Sequence, residues 1–529
     1  MEFINDSCKN GFTGEVGLGG MIPVTLCDER VACEISEDFT LPEYLPEIRR
    51  LLRVSGMATT PEKYVSPGGL RVSGAVEYCI LYVGSDGRMY SSNFKDTYEL
   101  TAPFDENIEW NENEGAFSDV FVCVDGTVGR VLGARKLNVR SRIVSDVKAI
   151  GTTEICGSGG CSERHMQRLI KSSDYTVEHF GESVESEAVD ELELSNGDRY
   201  VCSSCWAAVD STTAFSGYVE CRGAVTMRHL IERQNGKLYD IVRKIPFSET
   251  INVDGAEAGM PVVARALCVG AVASVKENEG EGEADEVSVN VALGVFVRAY
   301  ENRTLRYVKD GYSTEYKCEN QMREVEIARL LATSSKNMTL SEMRDIDVLG
   351  ASGDDVEICD VIARANAEGV ALSASGRYVI NGNCTFNVIY QKKLSDEREY
   401  SSAEIEIPFK YECSESGVLP DGKCIFVEAV EPRVRCDGKN ADFGCELLIS
   451  YSLVGEGMVR TVENSVLGEC VEKKKSCYTV CYPSKQDSLW SISKRYGAAV
   501  ATTAKNNGLD LTAEADTVGF EDELRYMIV

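Results

Sequence analysis

Apolar and polar residues alternate over long stretches of the chain, which is the pattern of half-buried β-strands. The alternation is clear from Leu70 to Val83, and Tyr90–Leu100 follows after a glycine-containing turn at residues 84–87. Similar strands are predicted at Tyr218–Ile231 and Tyr378–Tyr390, each of which continues into a hairpin. Strands joined by turns therefore dominate the predicted structure.

These hairpins share a spacing that predicts an internal repeat. Each predicted strand has a glycine near its start, and each hairpin is followed by Pro-Phe. The pairs are Gly74 with Pro103-Phe104, Gly223 with Pro246-Phe247, and Gly382 with Pro408-Phe409. Three occurrences of one pattern indicate tandem domains.

A second pair of strands is predicted after each Pro-Phe. The pairs are 120–131 with 137–147, 262–275 with 287–300, and 424–435 with 444–453. Short strands of this kind, joined by turns, favour antiparallel β-sandwiches. The predicted fold class is mainly β, with tandem sandwich-like repeats and short connecting helices.

A helix is predicted ahead of the first hairpin, over Leu41–Val54. Pro46 suits a first helical position, and Ile48, Leu51 and Leu52 have the i, i+3, i+4 spacing of one helical face. Further short helices or linkers are predicted at 163–172, 324–331 and 356–366.

The C-terminal segment has a different pattern, in which two helices lie between two strands. Tyr478–Val480 predicts a strand, and Asp487 suits the N-cap of a helix whose apolar face holds Leu489, Ile492 and Tyr496. Gly497 is placed to end that helix in the left-handed conformation. A second helix is predicted at 500–506 and a closing strand at 524–529, which gives a small βααβ domain.

These patterns predict a domain organisation for the whole chain. The predicted units are an N-terminal arm (1–22), a first repeat (23–150), a linker or helix (151–172), a second repeat (173–316), a linker helix with a third, degenerate repeat (317–472), and a C-terminal domain (476–529).

The formal net charge of −30 argues against nucleic acid or an anionic membrane surface as a partner. It favours a basic partner or simply solubility. No apolar run approaches the length of a membrane-spanning helix, so membrane insertion is not expected. Met1–Gly20 has neither a basic start nor an apolar stretch, so no signal peptide is predicted and a cytoplasmic location is expected. The 21 cysteines are then expected to be mostly free thiols.

Residue patterns for catalysis, metals or cofactors are sparse. The chain has three histidines, and no nucleophile elbow, phosphate-binding loop or zinc-protease motif is present. His229 is expected to be a partly buried strand residue, and Cys202–Cys205 lacks the second half of a zinc site. The carboxylates of Glu277–Glu286 lack EF-hand spacing and indicate a solvated hairpin. We therefore predict no catalytic residues, no metal site and no cofactor.

Two sets of residues resemble known families. Tyr478–Val480 together with Asp487–Gly497 resembles the LysM module. The Leu-Pro-Glu run from Leu41, the Val-x-Gly-x-Val strand around Gly74, and Pro246–Ile251 look like the SPOCS family of spore-forming Firmicutes. Arg135–Val139 also matches the SPOCS pattern, and the similarity extends over most of 26–469.

The combined resemblance implies a non-catalytic sporulation adaptor on the mother-cell side of the forespore surface, within the spore coat. Its LysM module would bind the spore-coat morphogenetic ATPase. The residues expected to contact the partner are Asp487, Leu489, Trp490, Asn506 and Asn507. The alternative is a LysM protein that binds N-acetylglucosamine chains of peptidoglycan. A third hypothesis is a coat building block cross-linked through its cysteines.

Overall fold

The computed structural model describes residues 18–155, 165–181, 184–195, 197–276, 285–350, 356–394, 397–471, 478–484, 486–509 and 526–529. Residues 1–17 of the predicted arm and most of the acidic hairpin, 277–284, lie outside the described residues.

The described chain is organised as three units of strands and a small C-terminal module. The first repeat holds β1 (Gly20–Thr40), β2 (Ile48–Ala58), β3 (Glu62–Ser66), β4 (Gly69–Gly84), β5 (Met89–Pro103), β6 (Phe117–Val131) and β7 (Lys136–Ile155). The second holds β8 (Met166–Phe180), β9 (Val184–Glu193), β10 (Arg199–Phe215), β11 (Tyr218–Glu232), β12 (Leu238–Asn252), β13 (Val262–Lys276) and β14 (Glu286–Ser313). The third holds β15 (Tyr316–Asp345), β16 (Val356–Leu372), β17 (Arg377–Leu394), β18 (Glu397–Ser416), β19 (Gly422–Asp437) and β20 (Asn440–Cys470). The C-terminal module holds β21 (Val480–Cys481), α1 (Leu489–Tyr496), α2 (Val500–Asn506) and β22 (Met527–Ile528), and short 3-10 helices lie at Glu112–Glu114 and Ile346–Leu349.

Each repeat is built from two antiparallel sheets with the same connections. One sheet is a meander: β2, β4 and β5 in the first repeat, β10–β12 in the second and β16–β18 in the third. The other sheet pairs the repeat's first strand with its last: the orders are β1-β7-β6, β8-β14-β13 and β15-β20-β19. The two sheets of each repeat enclose an apolar core. The mainly β, sandwich-like fold class is thus confirmed.

The cores follow directly from period-two alternation in the sequence. In β20, every second residue from Ala441 to Leu453 is completely buried. The ring of Phe443 meets Phe386 of the facing sheet edge-to-face, with ring centroids 5.7 Å apart. The predicted second strand pairs of all three repeats are confirmed in the same way, as β6–β7, β13–β14 and β19–β20.

The repeat signature is a glycine opposite an aromatic residue on the neighbouring strand. Gly223 pairs with Phe247 and Gly382 with Phe409, as the Pro-Phe pattern predicts. A side chain in place of Gly382 would lie 2.5 Å from the Phe409 ring. In the first repeat, however, Gly74 pairs with Tyr98 rather than with the Pro-Phe. The predicted equivalence of Pro103-Phe104 is therefore wrong, because Pro103 lies opposite Gly69 at the end of the hairpin.

The predicted connecting helices are wrong. Leu41–Val54 forms an irregular turn followed by β2. Strand β8 occupies the described part of the second predicted helical segment from Met166 onward, and β15 and β16 occupy the other two. In β2 the register with β4 shifts between Ile48 and Arg50 and again between Leu51 and Arg53. Each β-bulge inserts one residue and breaks the period of two. The bulges thereby produce the i, i+3, i+4 spacing that suggested a helix.

The three repeats close around a common axis. Strands β5 and β10, β12 and β16, and β18 and β2 are in contact, so each repeat touches both of the others. Leu81, Leu230 and Ile389, each seven residues after the repeat glycine, pack into one buried cluster. The repeats therefore form a pseudo-threefold ring.

A buried ion pair near the axis joins the first and third repeats. Leu81, Leu230 and Ile389 pair across the sheet with Arg53, Cys202 and Asp360, which are therefore equivalent positions. Arg53 Nη1 and Asp360 Oδ2 form a buried ion pair at 2.6 Å. Because one repeat supplies the cation and another the anion, this pair forms only between the first and third repeats.

Within the described residues, no helix is long and apolar enough to cross a membrane.

Candidate partner-binding site

The C-terminal module has the strand–helix–helix–strand order that the sequence predicts. Helix α1 ends at Gly497, which adopts the left-handed conformation (φ 62°, ψ 31°). The predicted N-cap is wrong by one residue, because Ser488 rather than Asp487 caps α1. Ser488 Oγ accepts a hydrogen bond from Ser491 N at 3.1 Å, and Ser491 Oγ accepts one from Ser488 N at 2.8 Å.

Asp487 stabilises the turn before the helix. Its Oδ2 accepts hydrogen bonds from Ser484 N (2.9 Å) and Ser484 Oγ (3.0 Å), and its Oδ1 accepts one from Arg495 Nη2 (2.5 Å). The bond from the Ser484 amide and the charge of Arg495 lower the pKa of Asp487. The carboxylate is thus already occupied by partners within the module.

Leu489 and Trp490 are both buried within this chain. Leu489 packs with Ile492, Val500 and Met527 in the core of the module. Trp490 contacts the second repeat: its ring meets Tyr312 of β14 edge-to-face at 5.0 Å between centroids. Because Leu489 is 1% exposed and Trp490 is 5% exposed, neither offers a surface to a partner in this conformation.

Asp310 of β14 holds the module in place. Its Oδ2 accepts a hydrogen bond from Trp490 Nε1 at 2.9 Å and lies 2.6 Å from Lys494 Nζ. Tyr312 Oη donates to Ala498 O at 2.6 Å. The module therefore docks on the second repeat through an apolar contact with a charged hydrogen-bond acceptor beside it.

The two asparagines predicted for the site have different surroundings. Asn507 Nδ2 donates to Thr503 O and Ile528 O, both at 2.7 Å, and its Oδ1 accepts from Ile528 N at 2.8 Å. These bonds join α2 to the closing strand. Asn506 is exposed, and it is the one residue of the five predicted that has a free surface.

The module also carries an exposed, largely aromatic face, formed by Tyr478, Val480, Tyr482 and Tyr526. We call it the tyrosine face. These side chains are 68%, 55%, 79% and 55% exposed. Val480 pairs with Ile528 and Cys481 with Met527, so continuing the register places Tyr482 opposite Tyr526. Sequence reasoning missed this face, although the alternation of Tyr478, Val480 and Tyr482 was the signal for it.

His229 lies in a buried chain of polar groups in the second repeat. Its Nδ1 is 2.7 Å from Ser203 Oγ and its Nε2 is 3.0 Å from Asp190 Oδ2. Tyr200 Oη is 2.7 Å from the same Ser203 Oγ. A serine, a histidine and an aspartate in contact have the composition of a hydrolase triad.

Burial and symmetry favour a structural role for this chain of polar groups. The imidazole of His229 is completely buried, and burial lowers its pKa. The positions equivalent to the Ser203–His229 pair are Val54–Ile80 in the first repeat and Val361–Val388 in the third. The polar network thus stands where the other repeats have apolar core pairs, and each of its members is within hydrogen-bonding distance of the next.

Cys202 and Cys205, the one pair with redox- or metal-like spacing, belong to different clusters. Cys202 belongs to the cluster between the repeats, whereas Cys205 packs against the core of the second repeat, so they lie on opposite faces of β10. Both are free thiols. In the part of the chain that the structure describes, no group of three or more His, Cys, Asp or Glu residues is arranged to hold a metal ion.

The comparison with known proteins adds no relative to this picture. Scanned against protein-family models, the chain matches none, and a search of curated proteins likewise finds no match.

Proposed function

We propose that this protein is a non-catalytic sporulation adaptor that binds the spore-coat morphogenetic ATPase at the forespore surface. The proposal joins the SPOCS-like and LysM-like residue patterns, whose combination is similar to the clostridial protein SipL. The proposal that the C-terminal module binds a partner rests on the tyrosine face. Exposed tyrosines are frequent anchors of protein interfaces, because they bury a large apolar area and keep a polar group at the rim.

The architecture supports an adaptor in which the binding module is held rigidly. Trp490, Lys494 and Tyr312 fix the module against the second repeat. The four side chains of the tyrosine face are each more than half exposed. A partner bound there would be held at a set orientation to the three-repeat ring, which is useful for a tether between a coat ATPase and a surface.

The burial of Leu489 and Trp490 moves the proposed contact away from the predicted residues. Asp487 and Asn507 are occupied by bonds within the module. The proposed contact residues are therefore Tyr478, Tyr482 and Tyr526, with Asn506 as an exposed polar neighbour on the module.

Aromatic side chains also stack on sugar rings, so the same face suits the rival ligand, peptidoglycan. The two hypotheses are separated by sedimentation of the full-length chain with insoluble peptidoglycan, in parallel with capture of the purified coat ATPase on the immobilised chain. We expect capture of the ATPase and no sedimentation with peptidoglycan. Sedimentation with peptidoglycan and no capture of the ATPase would replace the adaptor hypothesis by the glycan-binding one.

A further inference from the structure

A cavity of about 540 Å³ lies between the three repeats, and its described lining residues all precede the C-terminal module. All three repeats contribute to its walls, for example through Cys123, Trp206 and Ala365. The volume is within the range of sites that bind small organic molecules.

The charge of the cavity wall is opposite to that of the protein. Although the chain carries a net charge of −30, the cavity is lined by four arginines, Arg53, Arg199, Arg265 and Arg364, and by one carboxylate, Glu428. Three of these arginines are paired: Arg53 with Asp360 (2.6 Å), Arg199 with Glu232 (2.5 Å) and Arg265 with Glu428 (3.1 Å).

Arg364 differs from the other three arginines. Its Nη1 donates to Val124 O at 3.2 Å and its Nη2 to Gly56 O at 3.0 Å, so its hydrogen-bond acceptors in the described chain are main-chain carbonyls. Carbonyl oxygens satisfy the donors but do not neutralise the charge. Burial lowers the pKa of Arg364, and this effect outweighs the opposite effect of nearby acidic groups such as Glu428.

Trp206 supplies a second polar group without a partner. The side chain is 9% exposed and lines the cavity, and its Nε1 has no hydrogen-bond acceptor among the described residues. A buried indole N–H without an acceptor costs free energy, and buried polar groups are usually paired.

Trp206 and Arg364 occupy equivalent positions of the ring. Trp206 pairs with Thr226 and Arg364 with Thr385, and each of these threonines lies three residues after its repeat glycine. The pseudo-threefold arrangement therefore brings two groups to the same cavity from two repeats: a cation without an ion-pair partner among the described residues and an N–H donor without an acceptor. The remaining wall includes apolar side chains such as Met57, Val122 and Leu267.

We propose that the cavity binds a small organic anion, with its oxyanion group toward Arg364 and Trp206 Nε1 and a flat apolar body against the rest of the wall. The site is independent of the tyrosine face and of the adaptor function. A carboxylate, sulfonate or phosphate group would each provide a negative charge for Arg364 and an acceptor oxygen for Trp206 Nε1.

A matched pair of dyes tests this proposal on the full-length chain. The anionic dye is 1-anilinonaphthalene-8-sulfonate, and the neutral control is N-phenyl-1-naphthylamine, which has the same rings without the sulfonate. We expect the anionic dye to bind saturably at one site per chain. Arg364→Gln should weaken that binding at least about tenfold, since it removes a charge-assisted hydrogen bond to the sulfonate, and should leave the neutral dye unchanged.

Two further variants keep the test decisive. Arg222→Gln removes an exposed arginine that pairs with Glu220 outside the cavity, and it should leave both affinities unchanged. Trp206→Phe keeps a ring in the cavity and removes the N–H, so it should also weaken the anionic dye selectively, even if Arg364→Gln fails to fold. Equal affinity for the sulfonate dye in wild type and the folded cavity variants, or no saturable binding at all, would overturn the proposal.

Discussion

The hydrogen bond between Trp490 and Asp310 is expected to determine how firmly the C-terminal module is docked. Trp490 Nε1 donates to Asp310 Oδ2 at 2.9 Å, with the indole buried. A hydrogen bond to a charged group contributes about 1.5–3 kcal/mol. The side chain of Lys494, which also contacts Asp310, is 41% exposed, so its ion pair should contribute at most about 1 kcal/mol.

We therefore expect Asp310→Asn to lower the free energy of undocking by about 2 kcal/mol, which raises the undocked population about thirtyfold. A double-mutant cycle with Trp490→Phe should give a coupling energy of about 1.5–3 kcal/mol. Lys494→Met is the matched control, because it removes the second donor that the C-terminal module contributes to this carboxylate, which also accepts hydrogen bonds from Gly311 N and Asn320 Nδ2. Its effect should stay below about 1 kcal/mol.

Hydrogen exchange at the Val500 amide measures undocking directly. This amide donates to Gln167 Oε1 of the second repeat at 3.3 Å, so it loses its acceptor when the module leaves. Faster exchange at Val500 in Asp310→Asn, with unchanged exchange in the core strand β20, is the expected result. A coupling energy near zero in the cycle would refute the reasoning.

Four further outcomes follow from the buried polar groups and thiols. The double variant Ser203→Val/His229→Val should lose less free energy of unfolding than His229→Val alone, because the equivalent pairs in the other repeats are apolar. Denaturant melts measure both losses. A larger loss in the double variant would contradict the pseudo-symmetry. Because burial lowers the pKa of His229, its neutral form is favoured in the fold. Its contribution to stability should be complete above the unfolded pKa of about 6.5 and decline as the pH falls below it, a decline that the double variant should lack. Arg53→Met should lower the free energy of unfolding by about 3–5 kcal/mol, because it leaves Asp360 buried without its partner. Adding Asp360→Leu should recover much of that loss in the same melts. No recovery would contradict a stabilising role for the ion pair. Among the 17 cysteines that the structure describes as free, Cys470 is exposed and the others are buried or half-buried. Peptide mapping after brief iodoacetamide treatment should therefore find Cys470 alkylated first of these 17. An earlier reaction at one of the buried thiols would contradict the packing.

Much of the fold could be predicted from the sequence because strands alternate with a period of two. The glycine positions 74, 223 and 382 and the second strand pairs were predictable for this reason. The helices predicted between the repeats were not correct, because bulges in β2 imitate helical spacing and because β8 and β15 are long strands fixed by distant partners. Tertiary pairing of this kind overrides local propensity.

The site was less predictable than the fold. A repeated apolar helix face correctly indicated α1, but the partner of Trp490 is Asp310, 180 residues earlier in the chain, and no local pattern signals that contact. The pseudo-threefold ring could not be predicted for the same reason. The equivalence of Arg53, Cys202 and Asp360 is recognised only when the strand registers of all three repeats are known. The tyrosine face was visible in the sequence as an alternation, but its exposure depends on which side of β21 faces the helices.

The affinity of the full-length chain for the purified coat ATPase tests the central claim most directly, with Tyr482→Ser/Tyr526→Ser compared with wild type. Tyr44→Ser/Tyr64→Ser is the matched control, because these two tyrosines of the first repeat are 85% and 70% exposed. We predict that wild type and the control bind the ATPase equally and that the tyrosine-face variant binds at least about tenfold more weakly, since interface tyrosines contribute on the order of 1–2 kcal/mol each. Equal binding by all three proteins, or no binding by wild type, would contradict the account.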